Sequence, residues 1–255
     1  MFVVVKKKRL IITAILIIVL VCTIVGISMG VKNGANHTMA KVERKIPVYA
    51  VDTDENIAAI SFDAAWGSDK TLKILDVLDE YDVKATFFLV GFWIDEYPDL
   101  VKEIHERGHL IGNHSENHLH ANSLSKEDID EEITSVNKKI SEIVGYSPKY
   151  FRPPFGEYNN TLIEVLESKQ MVGVQWDVDS LDWKGLSGGQ IADRIVPKVK
   201  KGSIILCHNN SDHIVDALPI VLMGLKNKGI SLVRMDELVF TENYTVDNQG
   251  IQHLK

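Results

Sequence analysis

The chain contains little cysteine: Cys22 and Cys207 are the two cysteines among 255 residues. They lie in apolar stretches far apart in the sequence, so no disulfide framework is predicted. Cys22 follows Leu20-Val21 rather than a small residue, and no lipoprotein processing site is predicted either.

An excess of basic residues is also absent. There are 28 Lys and Arg against 35 Asp and Glu, for a formal net charge of −7. The basic residues form no patch in the predicted folded part, which argues against nucleic acid as a partner. No G-x-G-x-x-G motif follows the first predicted strand, so no dinucleotide site is expected. The hydrophobic content of 45% and charged content of 25% are ordinary for a globular protein with one sizeable core.

The N-terminus does contain a long uncharged run, from residue 10 to residue 31, preceded by basic residues 6–9. At a rise of ~1.5 Å per residue, roughly 20 helical residues cross a hydrocarbon core of ~30 Å. Positive charge before the run predicts a cytoplasmic N-terminus. A cleaved signal peptide is the alternative, although its apolar region is usually about 7–15 residues long and a small-x-small cleavage site is not evident. We therefore expect a single-pass cell-membrane protein with its folded domain outside the cytoplasm.

The rest of the chain divides into a polar linker over 32–54, a folded domain over 55–240 and a loose polar tail over 241–255. Within the domain, strands alternate with helices in about seven repeats, which predicts an α/β fold with a parallel sheet. That number is short of a full eight-unit barrel, and an open doubly wound sheet is the alternative. The predicted strands are 57–62, 84–90, 109–112, 150–152, 171–176, 203–206 and 230–233, and the predicted helices are 71–81, 98–107, 126–144, 160–168, 190–200 and 214–226.

Residues that carry acid, base or ligand chemistry follow five of the predicted strands. In a parallel α/β barrel the carboxyl ends of the strands form one rim, so these side chains are expected to converge there. Two neutral imidazoles four residues apart on one side of a turn suit a borderline divalent ion such as Zn²⁺. The residues are, in strand order, Asp63, His114 and His118, Arg152, Asp179 and Asp182, and His208.

These residues belong to five motifs in a fixed order: Ser61-Phe62-Asp63, His114-x-x-x-His118, Arg152-Pro-Pro-Phe-Gly156, Asp179-x-x-Asp182-Trp183 and Leu206-x-His208. Over residues 55–240 the set resembles the polysaccharide deacetylases, the NodB-type domain of carbohydrate esterase family 4. The form Phe62-Asp63-Ala64-Ala65-Trp66-Gly67, with the N-terminal apolar run, is most similar to the sporulation-type, PdaB-like subgroup. The resemblance implies a distorted (β/α)7 barrel, preceded here by one transmembrane helix. It also implies metal-dependent removal of N-acetyl groups from peptidoglycan or a related cell-wall glycan.

The resemblance also implies a role for each motif residue. His114 and His118 match the ligands of a divalent ion, zinc or cobalt. Asp63 matches the general base that takes a proton from water, and His208 matches the acid that protonates the departing amine. Arg152 resembles the residue that pairs with the base and keeps it ionised.

The remaining implied roles concern the acid and the substrate. Asp182 resembles the carboxylate that orients the acid histidine. Trp183 and Leu206 would line the pocket for the acetyl methyl group, and the backbone N–H near Phe155 would help to hold the oxyanion.

One position departs from the family pattern. The family's first motif usually has a second aspartate that is the third metal ligand, and Ala64 occupies that position. Three outcomes are open: water completes a weaker metal site, Asp63 becomes a ligand and loses its role as base, or the protein is inactive. The alternative function is therefore a membrane-tethered glycan-binding protein with a degenerate site. An esterase acting on O-acetyl groups is a third hypothesis.

Overall fold

The computed structural model describes the backbone of residues 2–34 and 43–255, and the side chains of residues 7–23 and 43–255. The chain forms two units, Met1–Glu43 and Arg44–Lys255. The first unit contains helix α1 (Phe2–Gly34). Among the residues that the structure describes, no helix is long and apolar enough to cross a membrane. The anchor over 10–31 stays a prediction; its side chains from residue 24 onward, and linker residues 35–42, lie outside the described part.

The second unit alternates strands and helices. The strands are β1 (Ala50–Val51), β2 (Ile57–Ala64), β3 (Thr86–Leu89), β4 (Leu110–Asn113), β5 (Tyr150–Phe151), β6 (Val172–Gly173), β7 (Val178–Asp179), β8 (Ile204–His208), β9 (Ser231–Val233), β10 (Tyr244–Val246) and β11 (Ile251–Leu254). The helices are α2 (Thr71–Glu80), α3 (Gly91–Glu96), α4 (Pro98–Glu106), α5 (Lys126–Val144), α6 (Asn160–Ser168), α7 (Gly188–Ile195), α8 (Ile214–Asn227) and α9 (Met235–Leu238). Short 3₁₀ turns span Ala121–Ser123, Pro154–Gly156 and Asp182–Lys184.

The main sheet has the strand order β6-β5-β4-β3-β2-β8-β7. Its pairs are parallel, and β9 pairs with the first half of β2 while β3 pairs with the second. Strand β2 is buried almost throughout, which explains its nearly continuous apolar sequence, because helices cover one face and the barrel interior the other. The result is an α/β half-barrel of parallel strands, consistent with the predicted (β/α)7 fold.

The first segment of the second unit bridges to residues beside two strands of the main sheet, β6 at one edge and β8 next to the other edge. Val48 bridges to Val174 just beyond β6, and Ala50 bridges to Ser203 just before β8. The Val48 N–H donates to the Gly173 carbonyl at 2.9 Å. Part of the predicted linker 32–54 is therefore integral to the barrel wall.

All six predicted helices are present, and the best predicted is α5. Ser125 caps it, and the reciprocal capping box with Asp128 is formed as expected from the spacing. Helix α7 ends at Ile195 rather than near residue 200, because Pro197 has no N–H to continue the helical hydrogen bonds. Helix α3 was not predicted; it is only six residues long and too short to show a helical period.

The C-terminal segment differs from the predicted loose tail. Strands β10 and β11 form an antiparallel hairpin, and β11 pairs in parallel with β1, with Ala50 opposite Ile251. Although residues 241–255 are mostly polar, Tyr244 and Val246 pack against a buried apolar cluster that includes Ala59 and Ile204 of the barrel strands. The prediction of a loose tail is therefore wrong for the hairpin.

Candidate active site

Asp63 lies near the end of β2 and is 7% exposed. Its Oδ1 accepts a hydrogen bond from Arg152 Nη1 at 2.8 Å, and its Oδ2 lies 3.5 Å from His114 Nε2. Burial by itself would raise the pKa of Asp63, but the charge and the hydrogen bond of Arg152 outweigh it and lower the pKa. The carboxylate is therefore ionised at neutral pH.

Arg152 is fully buried behind Asp63. Its Nη2 donates to the Gln175 carbonyl at 3.2 Å, and its guanidinium carbon lies 4.3 Å from the centroid of the Phe88 ring. Among the described residues its Nε has no hydrogen-bond partner. A buried guanidinium stays charged, so Asp63 is the counter-ion that makes this burial tolerable.

His208 ends β8 and is held by Asp182. Its Nδ1 lies 2.7 Å from Asp182 Oδ1, and its backbone N–H donates to Asp182 Oδ2 at 2.8 Å. Burial would lower the pKa of His208, but the hydrogen bond and charge of Asp182 outweigh it and raise the pKa. Asp182 is itself buried, and Ser211 Oγ donates to its backbone carbonyl at 2.8 Å. Because Asp182 fixes the proton on Nδ1, the other ring nitrogen of His208 is left to meet a substrate.

His114 and His118 lie together on the loop after β4, with ring centroids 5.0 Å apart. The His114 Nδ1 contacts the Arg152 carbonyl at 2.7 Å, so that nitrogen carries the proton and Nε2 keeps a free lone pair. Burial lowers the pKa of His114, and burial together with the neighbouring His114 lowers the pKa of His118 to about 4. Both imidazoles are therefore neutral at pH 7, the form that binds metals.

The loop that carries the two histidines is fixed by residues that the sequence did not reveal as functional. Asn113 Nδ2 donates to the Ile133 carbonyl at 2.9 Å, and its Oδ1 accepts from the Ser115 N–H at 2.8 Å. Glu132 accepts from the backbone and side-chain nitrogens of Asn117, at 2.8 and 2.6 Å. The sequence does contain an indication that Glu132 has a buried polar partner, because it is an acidic residue within the buried apolar stripe of α5.

Ala64 is fully buried and belongs to the apolar cluster between sheet and helices. Among the described residues no group of three His, Cys, Asp or Glu side chains is placed to hold a metal ion. The donor set therefore fits a divalent ion in part: two neutral imidazoles are available, including His118 with a buried Nδ1 that has no partner in the described chain. Catalytic zinc sites generally have three protein ligands, and the described residues place no third one beside these two imidazoles.

The predicted substrate-binding residues occupy different environments. Phe155 is 55% exposed, has a left-handed backbone with φ 58°, and its ring lies 4.6 Å from that of His118. Trp183 is 60% exposed beside Asp182, whereas Leu206 is 3% exposed on β8, two residues before His208. Asp179, for which the motif gave no role, accepts from the Leu181 N–H at 2.8 Å and stabilises a turn.

A parallel α/β half-barrel whose rim holds two charge pairs, Asp63 with Arg152 and His208 with Asp182, is an arrangement expected of an α/β-barrel hydrolase. The comparisons agree with that class. The family profile "Polysaccharide deacetylase" matches residues 50–174. A peptidoglycan-N-acetylglucosamine deacetylase of Bacillus cereus is 35% identical over 187 residues, covering 72% of this chain and 68% of that protein. The chain belongs to the polysaccharide deacetylase family, a family of hydrolases.

Other similar proteins include an uncharacterised protein, a deacetylase of known structure and a pseudoenzyme mutant. The uncharacterised protein YlxY of Bacillus subtilis is 35% identical over 193 residues, which cover 76% of this chain and 60% of YlxY. The solved structure of the peptidoglycan N-acetylglucosamine deacetylase Bc1960 superposes with a TM-score of 0.73 at 32% identity, covering 75% of this chain and 91% of that one. A mutant of BA3943, described as a CE4 family pseudoenzyme with restored enzymatic activity, gives a TM-score of 0.73 at 30% identity, covering 76% and 71%.

Proposed function

We propose that this protein removes N-acetyl groups from a cell-wall glycan, peptidoglycan or a related polymer, with Asp63 as base and His208 as acid. One observation carries the proposal: Asp63 and His208 are register partners on adjacent strands, and each contacts a buried group of opposite charge. The names of the relatives support the substrate class.

The proposed roles of Asp63 and His208 imply the following proton movements. Ionised Asp63 takes a proton from a water molecule as the water oxygen bonds to the acetyl carbon. The carbonyl oxygen becomes an oxyanion, and the C–N bond then breaks. The departing nitrogen takes a proton from the ring nitrogen of His208 that does not contact Asp182, and acetate and a free amine result.

Substrate contacts in this proposal follow the motif. The backbone N–H at Phe155 donates to the oxyanion, where a preorganised donor is most effective. Trp183 and Leu206 line the acetyl pocket, although the low exposure of Leu206 leaves it only a small contact surface.

We include a divalent ion, zinc or cobalt, held by His114 and His118 more weakly than in a site with three protein ligands. When bound, such an ion supplies Lewis-acid polarisation of the carbonyl and a more acidic water. Support comes from the two neutral imidazoles beside Asp63, with His114 Nε2 at 3.5 Å from the carboxylate.

The cellular setting belongs to the same proposal. The basic residues 6–9 and the apolar run 10–31 support a membrane tether with the catalytic unit outside the cytoplasm. Membership of the PdaB-like subgroup, and with it a role in sporulation, rests on the Ala64-Ala65-Trp66-Gly67 form of the first motif.

The test is release of acetate from N-acetylglucosamine oligomers and from peptidoglycan by the detergent-solubilised full chain with added Zn²⁺ or Co²⁺. Asp63→Asn should reduce kcat by about 10²-fold or more, because the base is lost. The matched control is Asp69→Asn, an exposed carboxylate near the same rim that should retain full activity. An active Asp63→Asn variant would refute the assigned base.

Ala64 favours a second candidate, a tethered glycan-binding protein with a degenerate site. That function predicts glycan binding without acetate release from any substrate and in the presence of either metal. An O-acetyl esterase would instead release acetate from O-acetylated glycans only.

A further inference from the structure

Trp66 lies in the turn between β2 and α2, and 56% of it is exposed. Its ring centroid is 4.9 Å from that of His118, in an edge-on arrangement with an interplanar angle of 66°. Phe155 meets the same imidazole at 4.6 Å and 73°. Two exposed aromatic rings therefore border His118 within the candidate site, and the motif assigns a role to only one of them.

The turn that presents Trp66 is fixed from beneath. The carbonyl of the next residue, Gly67, accepts hydrogen bonds from Trp93 Nε1 at 2.8 Å and from Asn209 Nδ2 at 2.9 Å. Both donors come from buried residues, 1% and 0% exposed. An exposed indole on a turn held by two buried donors is preorganised for contact.

Asn209 also connects this turn to the catalytic strands. It directly follows His208, and its backbone N–H donates to the Asp63 carbonyl at 3.1 Å. Its side chain reaches Gly67 and also Thr71 Oγ1 at 3.2 Å, at the start of α2. The position of the Trp66 ring is therefore coupled to the same backbone that aligns the base and the acid.

The chemistry of this surface fits a sugar ring. An indole offers a broad apolar face with one polar edge, and a pyranose ring has an apolar C–H face with hydroxyl groups at its rim. The nearby cation, Lys70, is already paired with Asp69 at 3.1 Å and Asp212 at 3.6 Å. The charge of Lys70, four residues after Trp66, is therefore already balanced by two carboxylates and does not favour an anionic ligand.

We propose that Trp66 is a specificity-determining residue that packs against a pyranose ring of the glycan, and that Asn209 and Trp93 are its positioning residues. This inference rests on the proposed function for its substrate class. The aromatic contact contributes to binding of the polymer and takes no part in proton transfer.

The test compares two acetylated probes on the full chain in detergent: a tetramer of β-1,4-linked N-acetylglucosamine, and 4-nitrophenyl acetate, which has no sugar ring. Trp66→Ala should raise the KM and the calorimetric Kd for the tetramer by about tenfold, since most of one aromatic contact is lost. The kcat, and the rate with 4-nitrophenyl acetate, should not change. Trp66→Phe should restore tetramer binding to within about threefold of the original.

The control is Met223→Ala, which removes a side chain of similar exposure, 52%, from α8. It should leave both probes unaffected. If the unmodified protein binds the tetramer without releasing acetate and Trp66→Ala still weakens binding, the deacetylase proposal fails while the role of Trp66 holds. An unchanged KM and Kd in Trp66→Ala, or no binding of the tetramer by the unmodified protein, would overturn the role of Trp66.

Discussion

Asp63 and His208 face each other in register across β2 and β8, and their environments move their pKa values in opposite directions. The pKa of Asp63 is lowered and that of His208 is raised, each by the balance of burial against a charged partner. A separation of this direction is what the proposed roles of Asp63 as base and His208 as acid require. Ionised Asp63 and protonated His208 therefore coexist over a wider pH range than they would in water.

The first prediction concerns Asp182→Asn. Loss of the carboxylate removes the main cause of the raised pKa of His208, so burial should lower that pKa instead. The alkaline limb of the pH profile of kcat/KM should move to lower pH, and kcat should fall by about 10²-fold or more. The measurement is acetate release between pH 5 and 9.

A control for this variant is Asp193→Asn, an exposed carboxylate on α7 that should leave the profile unchanged. An alkaline limb at its original position in Asp182→Asn would contradict the assignment of His208 as the acid. The raised pKa of His208 also stabilises the folded protein. This stabilisation is fully present below pH 6.5, the unfolded-state pKa, and is lost as the pH rises through the folded-state pKa of His208.

The second prediction concerns acid sensitivity through His109, which is 2% exposed. Its Nδ1 accepts from the Ala85 N–H at 3.1 Å, and burial lowers its pKa from 6.5 to about 4. The unfolded chain takes up this proton first, so the free energy of unfolding should fall as the pH drops from 6.5 to 4. At about 1.4 kcal/mol per pH unit, the full effect is about 3 kcal/mol.

Urea unfolding at several pH values would test this. His109→Gln should show a shallower loss of stability between pH 6.5 and 4, because the titrating group is absent. His213→Gln, in which the original side chain is 46% exposed, is the control and should keep the original slope. Identical slopes in all three proteins would mean that His109 does not contribute.

The sequence predicts those parts of the fold and the site that depend on neighbouring residues along the chain. The continuous apolar run of β2 and the capping box of α5 identified those elements, and strand ends placed the polar residues on one rim. The contact between Glu132 and Asn117 was not predictable, because it depends on how α5 packs against the histidine loop. Likewise, the hairpin depends on its pairing with β1, about 200 residues away in the sequence.

The third prediction concerns Ala64→Asp. A carboxylate at this fully buried position should lower the free energy of unfolding by about 1–3 kcal/mol without metal. Added Zn²⁺ should restore the stability, because the carboxylate can join His114 and His118 as a third ligand. Metal content after dialysis should rise from less than one ion per chain to one.

Ala65→Asp is the matched control, since Ala65 is the next residue and is 7% exposed. It should also be destabilised, but without recovery in Zn²⁺. Equal responses of the two variants to zinc would show that position 64 has no special relation to the two imidazoles.

The fourth prediction concerns Gln252 in β11, which is fully buried. Its Oε1 accepts from the Phe240 N–H at 2.9 Å and its Nε2 donates to the Phe240 carbonyl at 2.8 Å, so one side chain satisfies both backbone groups of Phe240. Gln252→Ala should leave both without their partners and lower the free energy of unfolding by about 2–4 kcal/mol. Gln249→Ala, at an exposed position in the same hairpin, should change stability by less than about 0.5 kcal/mol. Chemical unfolding of the two variants is the measurement. If residues 244–254 were a tail without a structural role, neither variant would change the free energy of unfolding. If the hairpin stabilises the fold through its pairing with β1, Gln252→Ala alone should lower the free energy of unfolding.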